Sequence, residues 1–361
     1  MRIRRTGIAL VAGLALVTAA CGGGGEEDSA EAAEGNEQGA DDGSDADDAG
    51  GDDAAPAGLE ELIAAAQEEG SITFYGAPDE RVLRAMAEDF QEKYGVTVEP
   101  VRLVTSDLTQ RFAAEAEAGA PVADVVISTH SPFFDDALAN GWLESISDAG
   151  LPDFPGTFPE AYLENDGATA IVSMVPTELV YNTDAFPEAP DSWEVYGEPE
   201  MAGEIQMAHP DSSPANISFW SLIHQEYGEE LLQAIAANEP AWHNSAVPAT
   251  QAVAAGEGSL AHPGVRAIVR TLQAEGAPVE VAALGPTTGP EMALGLAAGS
   301  ESPNAAKLFA HYVMSEEGNE LMAEVSEAAS PYGLNQPEGW VRPGDVEQLS
   351  ADELNALLGA S

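Results

Sequence analysis

Residues 70–99 read GSITFYGAPDERVLRAMAEDFQEKYGVTVE, and this stretch decides the fold class. Residues 71–75 are rich in β-branched and aromatic side chains, which favours a strand. Residues 80–94 have helical spacing and end at Gly95, a typical helix stop. The inward-facing positions of this helix are Val82, Leu83, Met86 and Phe90. Because residues 96–103 are again rich in β-formers, the stretch predicts a strand, a helix and a second strand in succession.

The same alternation continues along the chain. Ser106 is the predicted N-cap of a helix that runs to Ala118. Residues 123–128, ADVVIS, form a nearly continuous apolar run, as expected for a strand that is buried on both faces. A helix is predicted at 133–140. This order predicts an α/β fold with a mainly parallel, twisted sheet and helices on both of its faces.

The second half of the chain repeats this pattern. Residues 170–182 form a long extended stretch, and Ser213 before Pro214 is a typical N-cap followed by proline at the first helical position. Further strands are predicted at 204–208, 259–261, 279–283 and 292–297, and further helices at 266–275 and within 304–325. About 300 residues exceed one comfortable core, so we predict two lobes of α/β structure.

The charge of the chain excludes several classes of partner. It carries 63 acidic and 12 basic residues, a formal net charge of −51. Binding to nucleic acid or docking on anionic lipid would need clusters of Lys and Arg, so we expect neither. The single cysteine excludes an intramolecular disulfide and a cysteine-based zinc site.

The N-terminal residues have the pattern of a secretory signal. Arg2, Arg4 and Arg5 precede a short apolar segment at 8–17, and small residues lead to Cys21. Residues 16–21, LVTAAC, resemble the lipobox of bacterial lipoproteins. The resemblance implies that residues 1–20 are a signal peptide and that Cys21 is diacylated and becomes the mature N-terminus. The alternative is an ordinary signal peptide with a chance cysteine.

Residues 21–58 are predicted to be the lipidated cysteine and a disordered acidic linker. The segment 26–53 contains 13 acidic residues and no basic ones, so it repels itself and cannot bury a core. Its acidic run does not have the spacing of a calcium-binding EF-hand loop. We therefore expect a solvated tether between membrane and folded body.

The folded body, residues 59–361, is itself strongly acidic. It holds 50 acidic and 9 basic residues, a charge of −41, and its lysines are Lys93 and Lys307. Salt screens such self-repulsion, so the composition predicts a protein adapted to high salt.

Seven stretches in order resemble one class of protein, the two-lobed type II solute-binding proteins of ABC importers, which include iron(III), polyamine, thiamine and phosphonate binders. These are residues 70–99, PVADVVIST (121–129), NGWLESIS (140–147), VPTELVYNTDAF (175–186), PDSWEVYGEPEMAGEIQMAHP (190–210), NSAVPATQAVAAGEGSLA (244–261) and SPNAAKLFAHYVMSEEGNELMAE (302–324). The resemblance implies lobe 1 at 59–174, lobe 2 at 175–283, hinge strands between them, and a return to lobe 1 with a C-terminal tail at 284–361. It also implies a monomer on the outer face of the cell membrane, with an ABC permease as its partner.

In open α/β sheets, ligands bind beyond the carboxyl ends of the strands. We therefore expect a cleft between the lobes, and the helix N-termini at Asp79 and Ser213 suit an anionic group there. The candidate ligand-binding residues are Ala77, Asp79, Glu80, Thr129, His130, Thr177, Tyr181, Ser212, Ser213, His262, Arg266 and Thr287.

The resemblance implies a small-molecule or metal-chelate ligand. Iron(III) or an iron chelate is the first candidate, and a phosphonate, a polyamine or thiamine is the alternative. The iron(III) binders of this class that hold the metal with protein oxygens use an adjacent pair of tyrosines where this chain has His262–Arg266, so the resemblance does not extend to that tyrosine pair. His130 and His262 are the candidate metal ligands, with ordinary hydrogen-bonding or surface roles as the alternative. Arg266 and Arg270 suit a carboxylate or phosphonate, or else form surface ion pairs. No cofactor is expected.

The rival functions are a surface enzyme and a ligand sensor. The sequence contains no G-x-S-x-G elbow, no H-E-x-x-H, no P-loop and no dinucleotide fingerprint. We therefore predict no catalytic residues. Turnover of a ligand would distinguish an enzyme from a binding protein.

Overall fold

The computed structural model of the protein describes residues 58–360. The predicted signal peptide, Cys21 and the acidic linker up to residue 57 lie outside the described residues. None of the helices between residues 58 and 360 combines the length and the hydrophobicity of a membrane span. Two β-sheets, one of seven strands and one of five, are each flanked by helices. We refer to the seven-stranded sheet with its helices as lobe 1 and to the five-stranded sheet with its helices as lobe 2.

The chain builds lobe 1, crosses to lobe 2, and returns. The first part of lobe 1 consists of α1 (Leu59–Glu69), β1 (Ser71–Gly76), α2 (Glu80–Tyr94), β2 (Thr97–Arg102), α3 (Thr105–Glu117), β3 (Val125–Thr129), α4 (Pro132–Ala139), β4 (Leu143–Glu144), β5 (Leu163–Glu164) and β6 (Thr169–Met174). Lobe 2 consists of β7 (Glu178–Asn182), β8 (Ile205–Ala208), α5 (Pro214–Tyr227), α6 (Glu229–Ala237), β9 (Ala241–His243), α7 (Ala246–Ala254), β10 (Leu260–Gly264), α8 (Arg266–Ala274) and β11 (Val279–Ala282). The chain ends with β12 (Glu291–Ala297), α9 (Pro303–Met314), α10 (Glu316–Ser326) and α11 (Ala351–Leu358).

Both sheets combine parallel and antiparallel pairs. In lobe 1 the order is β2-β1-β3-β12-β6-β5, with β4 paired to β12. β1 is parallel to β2 and β3, whereas β12 is antiparallel to β3 and β6. In lobe 2 the order is β11-β7-β10-β8-β9, and β8 is parallel to its neighbours whereas β7 is antiparallel to its own. The predicted two-lobed α/β class is confirmed. β7 and β12 run in the opposite direction because each enters its sheet from the other lobe.

Local sequence explains how the helices of lobe 1 begin and end. Asp79 caps α2 by accepting a hydrogen bond from the Arg81 backbone N–H, and Gly95 ends it in the left-handed conformation that glycine tolerates. The predicted cap of α3 is wrong by two residues. Val104 is the N-cap residue, and Ser106 lies in the first turn with its hydroxyl directed to the Asp107 carboxylate.

Each lobe has its own aromatic core. In lobe 1, Phe90 packs between Phe309 and Tyr312, with ring centroids 5.1 and 5.4 Å away. In lobe 2, Phe219 packs against Trp193 and Trp220 at 4.8 and 5.0 Å. Aromatic pairs of this kind stabilise the folded state by more than their buried area alone would. Because each lobe has its own set of them, each lobe has its own source of stability.

Two hinge segments, residues 175–177 and 283–290, connect the lobes. The backbone N–H of Val175 donates to the Pro290 carbonyl at 2.9 Å, and that of Thr177 donates to the Thr288 carbonyl at 3.0 Å. A Cβ at Gly289 would lie 2.1 Å from the Val175 carbonyl oxygen, so only glycine fits between the two segments. The hinge is therefore a pair of segments joined by backbone hydrogen bonds rather than a loose linker.

The chain crosses between the lobes a third time after α10. The Val341 N–H donates to the Thr287 carbonyl in the hinge at 2.8 Å. Helix α11 then packs against α5 and α6, and its Leu354 and Leu358 are fully buried in the core of lobe 2. The predicted C-terminal tail thus contains a helix, α11, whose apolar face completes the core of lobe 2.

Candidate functional site

The hinge places the strand ends of one sheet opposite the strand ends of the other. In lobe 1, Thr129 pairs with Met292 and Met174 pairs with Glu291, so the ends of β3 and β6 meet the start of β12. In lobe 2, Gly264 at the end of β10 pairs with Glu178 at the start of β7. Ligand-binding loops of open α/β sheets lie at such carboxyl edges.

Three predicted ligand-binding residues, Ala77, Asp79 and Glu80, follow the carboxyl end of β1 in lobe 1. The Ala77 N–H donates to the Ile127 carbonyl at 2.8 Å, which fixes this loop to β3. The Asp79 carboxylate accepts hydrogen bonds from the Arg81 backbone N–H at 2.9 Å and from its Nε at 3.1 Å. The backbone hydrogen bond is the largest cause that lowers the pKa of Asp79. Glu80 is exposed and pairs with Arg84 at 2.5 Å.

The residues after β3 form a second patch in lobe 1. The hydroxyls of Thr129 and Thr105 are 3.0 Å apart. The backbone N–H of His130 donates to the Glu291 carbonyl at 2.7 Å, and its ring lies 6.1 Å from that of Phe134. Both predicted residues are half-buried at the strand edge.

Thr177 and Thr287 belong to the hinge itself. Both are buried, and the Thr287 hydroxyl donates to the Thr177 carbonyl at 2.6 Å. Their contacts in this structure join the two crossing segments, and a role in ligand binding stays a prediction.

Ser212 and Ser213 precede α5 on the edge of lobe 2. The Ser212 hydroxyl donates to the His209 carbonyl at 2.6 Å and accepts from the Asn216 side chain at 2.9 Å. Ser213 caps α5 by accepting from the Asn216 backbone N–H at 3.3 Å, as its sequence context predicts. Local turn chemistry accounts for both contacts.

Two predicted residues lie inside lobe 2 instead of at its edge. Tyr181 is buried near the far end of β7, beside Phe186. His262 is fully buried, because β10 extends to Gly264 and the histidine lies inside a paired strand rather than in a loop. Four aromatic rings surround it, those of Trp193, Tyr196, Phe219 and Trp220. Burial lowers the pKa of His262 to about 3.

A metal site is not formed by the predicted histidines. Among residues 58–360, no group of three His, Cys, Asp or Glu side chains is arranged to hold a metal ion. His262 lies in the aromatic core of lobe 2, whereas His130 lies at the edge of lobe 1, so the two do not share a site.

Arg266 is half-exposed at the start of α8 and forms an ion pair with a buried carboxylate. Its Nε and one terminal nitrogen donate to the same oxygen, Glu178 Oε1, at 3.0 and 2.5 Å. Burial raises the pKa of Glu178, and the guanidinium of Arg266 opposes that rise. A Cβ at Gly264 would lie 2.6 Å from the Glu178 carbonyl oxygen, so glycine is required for this close approach.

A pocket of about 190 Å³ lies between the lobes beside the hinge. Lobe 1 and the end of α10 supply one part of its lining, and β7 and α8 of lobe 2 supply the other. Its charged side chains are Asp79, Arg81, Glu178, Arg266 and Glu327, and its remaining lining is mostly aliphatic. This interlobe pocket contains two of the twelve predicted residues, Asp79 and Arg266.

Three charged residues of the pocket were missed by sequence reasoning. Arg81 carries a detectable signal, since it is one of only 9 bases in the folded body. Glu178 is a carboxylate at the start of a fully buried strand, a position that favours a paired or functional group. Glu327 adopts a left-handed conformation, φ 56°, where α10 ends, and only the fold brings it to the pocket.

Two α/β lobes joined at a hinge, with a small pocket between them, define the class of two-lobed binding proteins. Residues 72–324 match the model of the family described as bacterial extracellular solute-binding protein, and the chain belongs to that family. The predicted membership in the solute-binding class is thus confirmed, and members of this family are binding proteins of transport systems.

This chain is also similar to individual proteins. The chain is 23% identical over 267 residues to an uncharacterized protein of Haemophilus influenzae, covering 71% of this chain and 76% of that one. Iron-bound HitA from Pseudomonas aeruginosa is 20% identical with a TM-score of 0.58, covering 80% of this chain and 98% of HitA. The substrate binding protein of an ABC transporter from Agrobacterium tumefaciens is 17% identical with a TM-score of 0.61, covering 80% and 94%. AfuA from Actinobacillus pleuropneumoniae, with fructose-6-phosphate bound, is 20% identical with a TM-score of 0.53, covering 81% and 97%. At these identities the likeness to solved structures shows a shared fold.

Proposed function

We propose that this chain is a lipid-anchored extracellular protein that captures a small solute between its two lobes and delivers it to an ABC permease. The observation that carries the proposal is the interlobe pocket. Its lining comes from both lobes and from the hinge, so a bound solute stabilises one relative position of the lobes. Such a ligand-dependent surface is what a permease needs in order to recognise the loaded protein.

The size and lining of the pocket favour a small organic solute. Its volume of about 190 Å³ is below the roughly 300–1,000 Å³ of pockets for drug-sized ligands. Aliphatic side chains supply apolar contact, and charged groups from both lobes supply orientation. Iron(III) would enter this pocket as a chelate that brings its own ligands.

Thermal unfolding of the full chain, purified in detergent at high salt, tests solute binding. The panel contains ferric citrate, free iron(III), polyamines, thiamine, phosphonates, sugars, small carboxylates and amino acids. A ligand at 100 times its dissociation constant stabilises the folded state by about 2.7 kcal/mol, which raises the melting temperature measurably. A response to one chemical class supports the proposal. Turnover of any compound would instead support the rival enzyme function.

The lipid anchor rests on the signal pattern and on the position of the single cysteine. Two acyl chains on Cys21 would hold the protein stably on the membrane, whereas one chain binds only marginally. The Cys21→Ser variant should appear in the culture medium, and the wild type should remain with the membranes and incorporate labelled palmitate. A variant that stays on the membranes would remove the anchor from the proposal.

A further inference from the structure

The charged groups of the interlobe pocket are arranged as two similar pairs. On lobe 1, Asp79 pairs with Arg81 at 3.1 Å, and on lobe 2, Glu178 pairs with Arg266 at 2.5 Å. The remaining carboxylate of the lining, Glu327, pairs with Arg270 at 3.2 Å. Every carboxylate of the pocket therefore has a guanidinium partner, and the pocket has no large excess of either charge.

Each pair uses only one oxygen of its carboxylate. Asp79 Oδ1 accepts both hydrogen bonds from Arg81, and Glu178 Oε1 accepts both from Arg266. Among the contacts of residues 58–360, Asp79 Oδ2 and Glu178 Oε2 accept no hydrogen bond, and each guanidinium retains N–H groups without an acceptor. Within the described residues, each lobe thus contributes one free carboxylate oxygen and one guanidinium with free N–H groups.

This arrangement discriminates by ligand charge. A ligand with only a negative charge is attracted by the guanidinium groups but repelled by Asp79 and Glu178. A ligand with only a positive charge is attracted by these carboxylates but repelled by the guanidinium groups. A ligand that carries both charges satisfies the donors and the acceptors at the same time. Because Glu178 is only 5% exposed, a ligand contact with its carboxylate is weakly screened by solvent. Asp79 and Arg81, which are 56% and 70% exposed, are screened more strongly.

The rest of the lining suits an aliphatic body. The apolar side chains that face the pocket are Val82, Val175, Val265, Met292 and Met322. Among residues 58–360, no aromatic side chain lines the pocket, so these residues provide no ring on which a flat ligand could stack.

We propose that the interlobe pocket binds a small zwitterionic solute with an aliphatic body, of the size of an apolar amino acid. Arg81 and Arg266 bind its anionic group, and the free oxygens of Asp79 and Glu178 bind its cationic group. This inference rests on the proposed function, and it names the solute class. A zwitterion that touches both walls also links the lobes, so binding favours closure.

Calorimetric titration of the full chain in detergent tests the proposal with matched ligands. Each of leucine, isoleucine, valine and methionine is offered as the free zwitterion, as the N-acetyl acid and as the amide, and glycine betaine is added as a quaternary zwitterion. At least one zwitterion should bind at least roughly 10- to 100-fold more tightly than either of its blocked forms, since each block removes one charge-assisted contact.

Four variants separate charge recognition from general damage. Asp79→Asn and Glu178→Gln should weaken binding of the zwitterion about 10- to 100-fold but leave or improve that of the N-acetyl acid. Arg81→Gln and Arg266→Gln should weaken both. Glu88→Gln, on the exposed face of the same helix as Arg81, is the matched control and should change nothing. If Glu178→Gln fails to fold, the exposed Asp79 and Arg81 variants still decide the matter.

Two results overturn the inference. One is that no zwitterion of the set binds; the other is that a blocked form binds as tightly as its zwitterion. If phosphonates or ferric citrate bind instead, the zwitterion is wrong and the proposed function stands. If neither this set nor the wider panel changes the melting temperature, the proposed function fails as well.

Discussion

His262 is a buried histidine whose two ring nitrogens have no hydrogen-bond partner in the described part of the chain. Its ring centroid lies 4.3 Å from that of Phe219 and 4.6 Å from that of Trp220. Burial without partners favours the neutral form, which accounts for the pKa near 3. The residue therefore acts in folding, and its charge state links stability to pH.

The His262→Leu variant should be at least as stable as the wild type at pH 7.5, because leucine leaves no unpaired polar atom. The folded-state pKa is depressed, so the unfolded state takes up the proton first and stability falls as the pH drops from 6.5 toward 3. Between pH 7.5 and 5.5 the wild type should lose about 1.4 kcal/mol more than the variant. Urea unfolding at both pH values measures this.

The control for this prediction is His224→Gln, a change on α5 outside the aromatic core of lobe 2. It should leave the pH dependence of stability as in the wild type. Loss of solute binding in a well-folded His262→Leu protein would contradict the structural role and return the histidine to the site.

At the scale of elements, α1 and α9 are joined by a carboxylate. Glu69 near the end of α1 accepts hydrogen bonds from the backbone N–H groups of Asn304 and Ala305, at 3.2 and 2.7 Å. It also accepts from the Asn304 side chain at 2.7 Å. The N-cap residue of α9, Ser302, makes no side-chain cap hydrogen bond, so Glu69 from a distant element caps this helix.

Replacing Glu69 by Ala should lower the free energy of unfolding by about 1–2 kcal/mol, the usual cost of losing an N-cap. Glu68→Ala is the matched control, since Glu68 is exposed on the same helix. Chemical denaturation of both variants at one pH provides the comparison. Equal stabilities for the two variants would mean that the cap does not contribute.

The element boundaries also explain which parts of the site were predictable. Periodicity and caps correctly placed α2 and the turn at Ser213, because both depend on residues that are neighbours in sequence. The end of β10 was misplaced, since His262–Gly264 becomes strand only through pairing with β8 and β7. Because the predicted strand ended at residue 261, His262 was expected in a loop, whereas the structure places it in the core of lobe 2.

At the scale of the whole molecule, Arg342 ties the third crossing to lobe 1. Its nitrogens donate to both oxygens of the buried Glu291, each at 2.8 Å, and to Glu164 at 2.6 Å. Beyond this anchor the chain passes to α11 in lobe 2. The C-terminal segment therefore connects both lobes in addition to the hinge.

The Arg342→Met variant would leave Glu291, whose side chain is 4% exposed, as a buried charge without a partner. We expect a loss of about 3–5 kcal/mol in the free energy of unfolding. Arg84→Met breaks an exposed ion pair and should cost less than about 1 kcal/mol. If the two variants lose equal stability in urea, the buried network has no special role.

The net charge of the body is also a property of the whole molecule. With 50 acidic and 9 basic residues in 59–361, self-repulsion opposes the compact state unless salt screens it. Raising KCl from about 0.1 M to 1 M shortens the screening length from roughly 10 to 3 Å, so the melting temperature should rise. A melting temperature that does not change with KCl would remove the adaptation to high salt.

The sequence by itself determined the two-lobed α/β class, the order of the main strands and helices, and the family. Hydrophobic periodicity, caps and glycine stops act over a few residues, and their information is present in the local sequence. The tertiary structure decided which charges meet. Asp79 and Glu178 lie 99 positions apart in the chain, and Glu327 lies farther still, yet all line one pocket. Their encounter depends on how the hinge sets two sheets edge to edge, which no local pattern encodes.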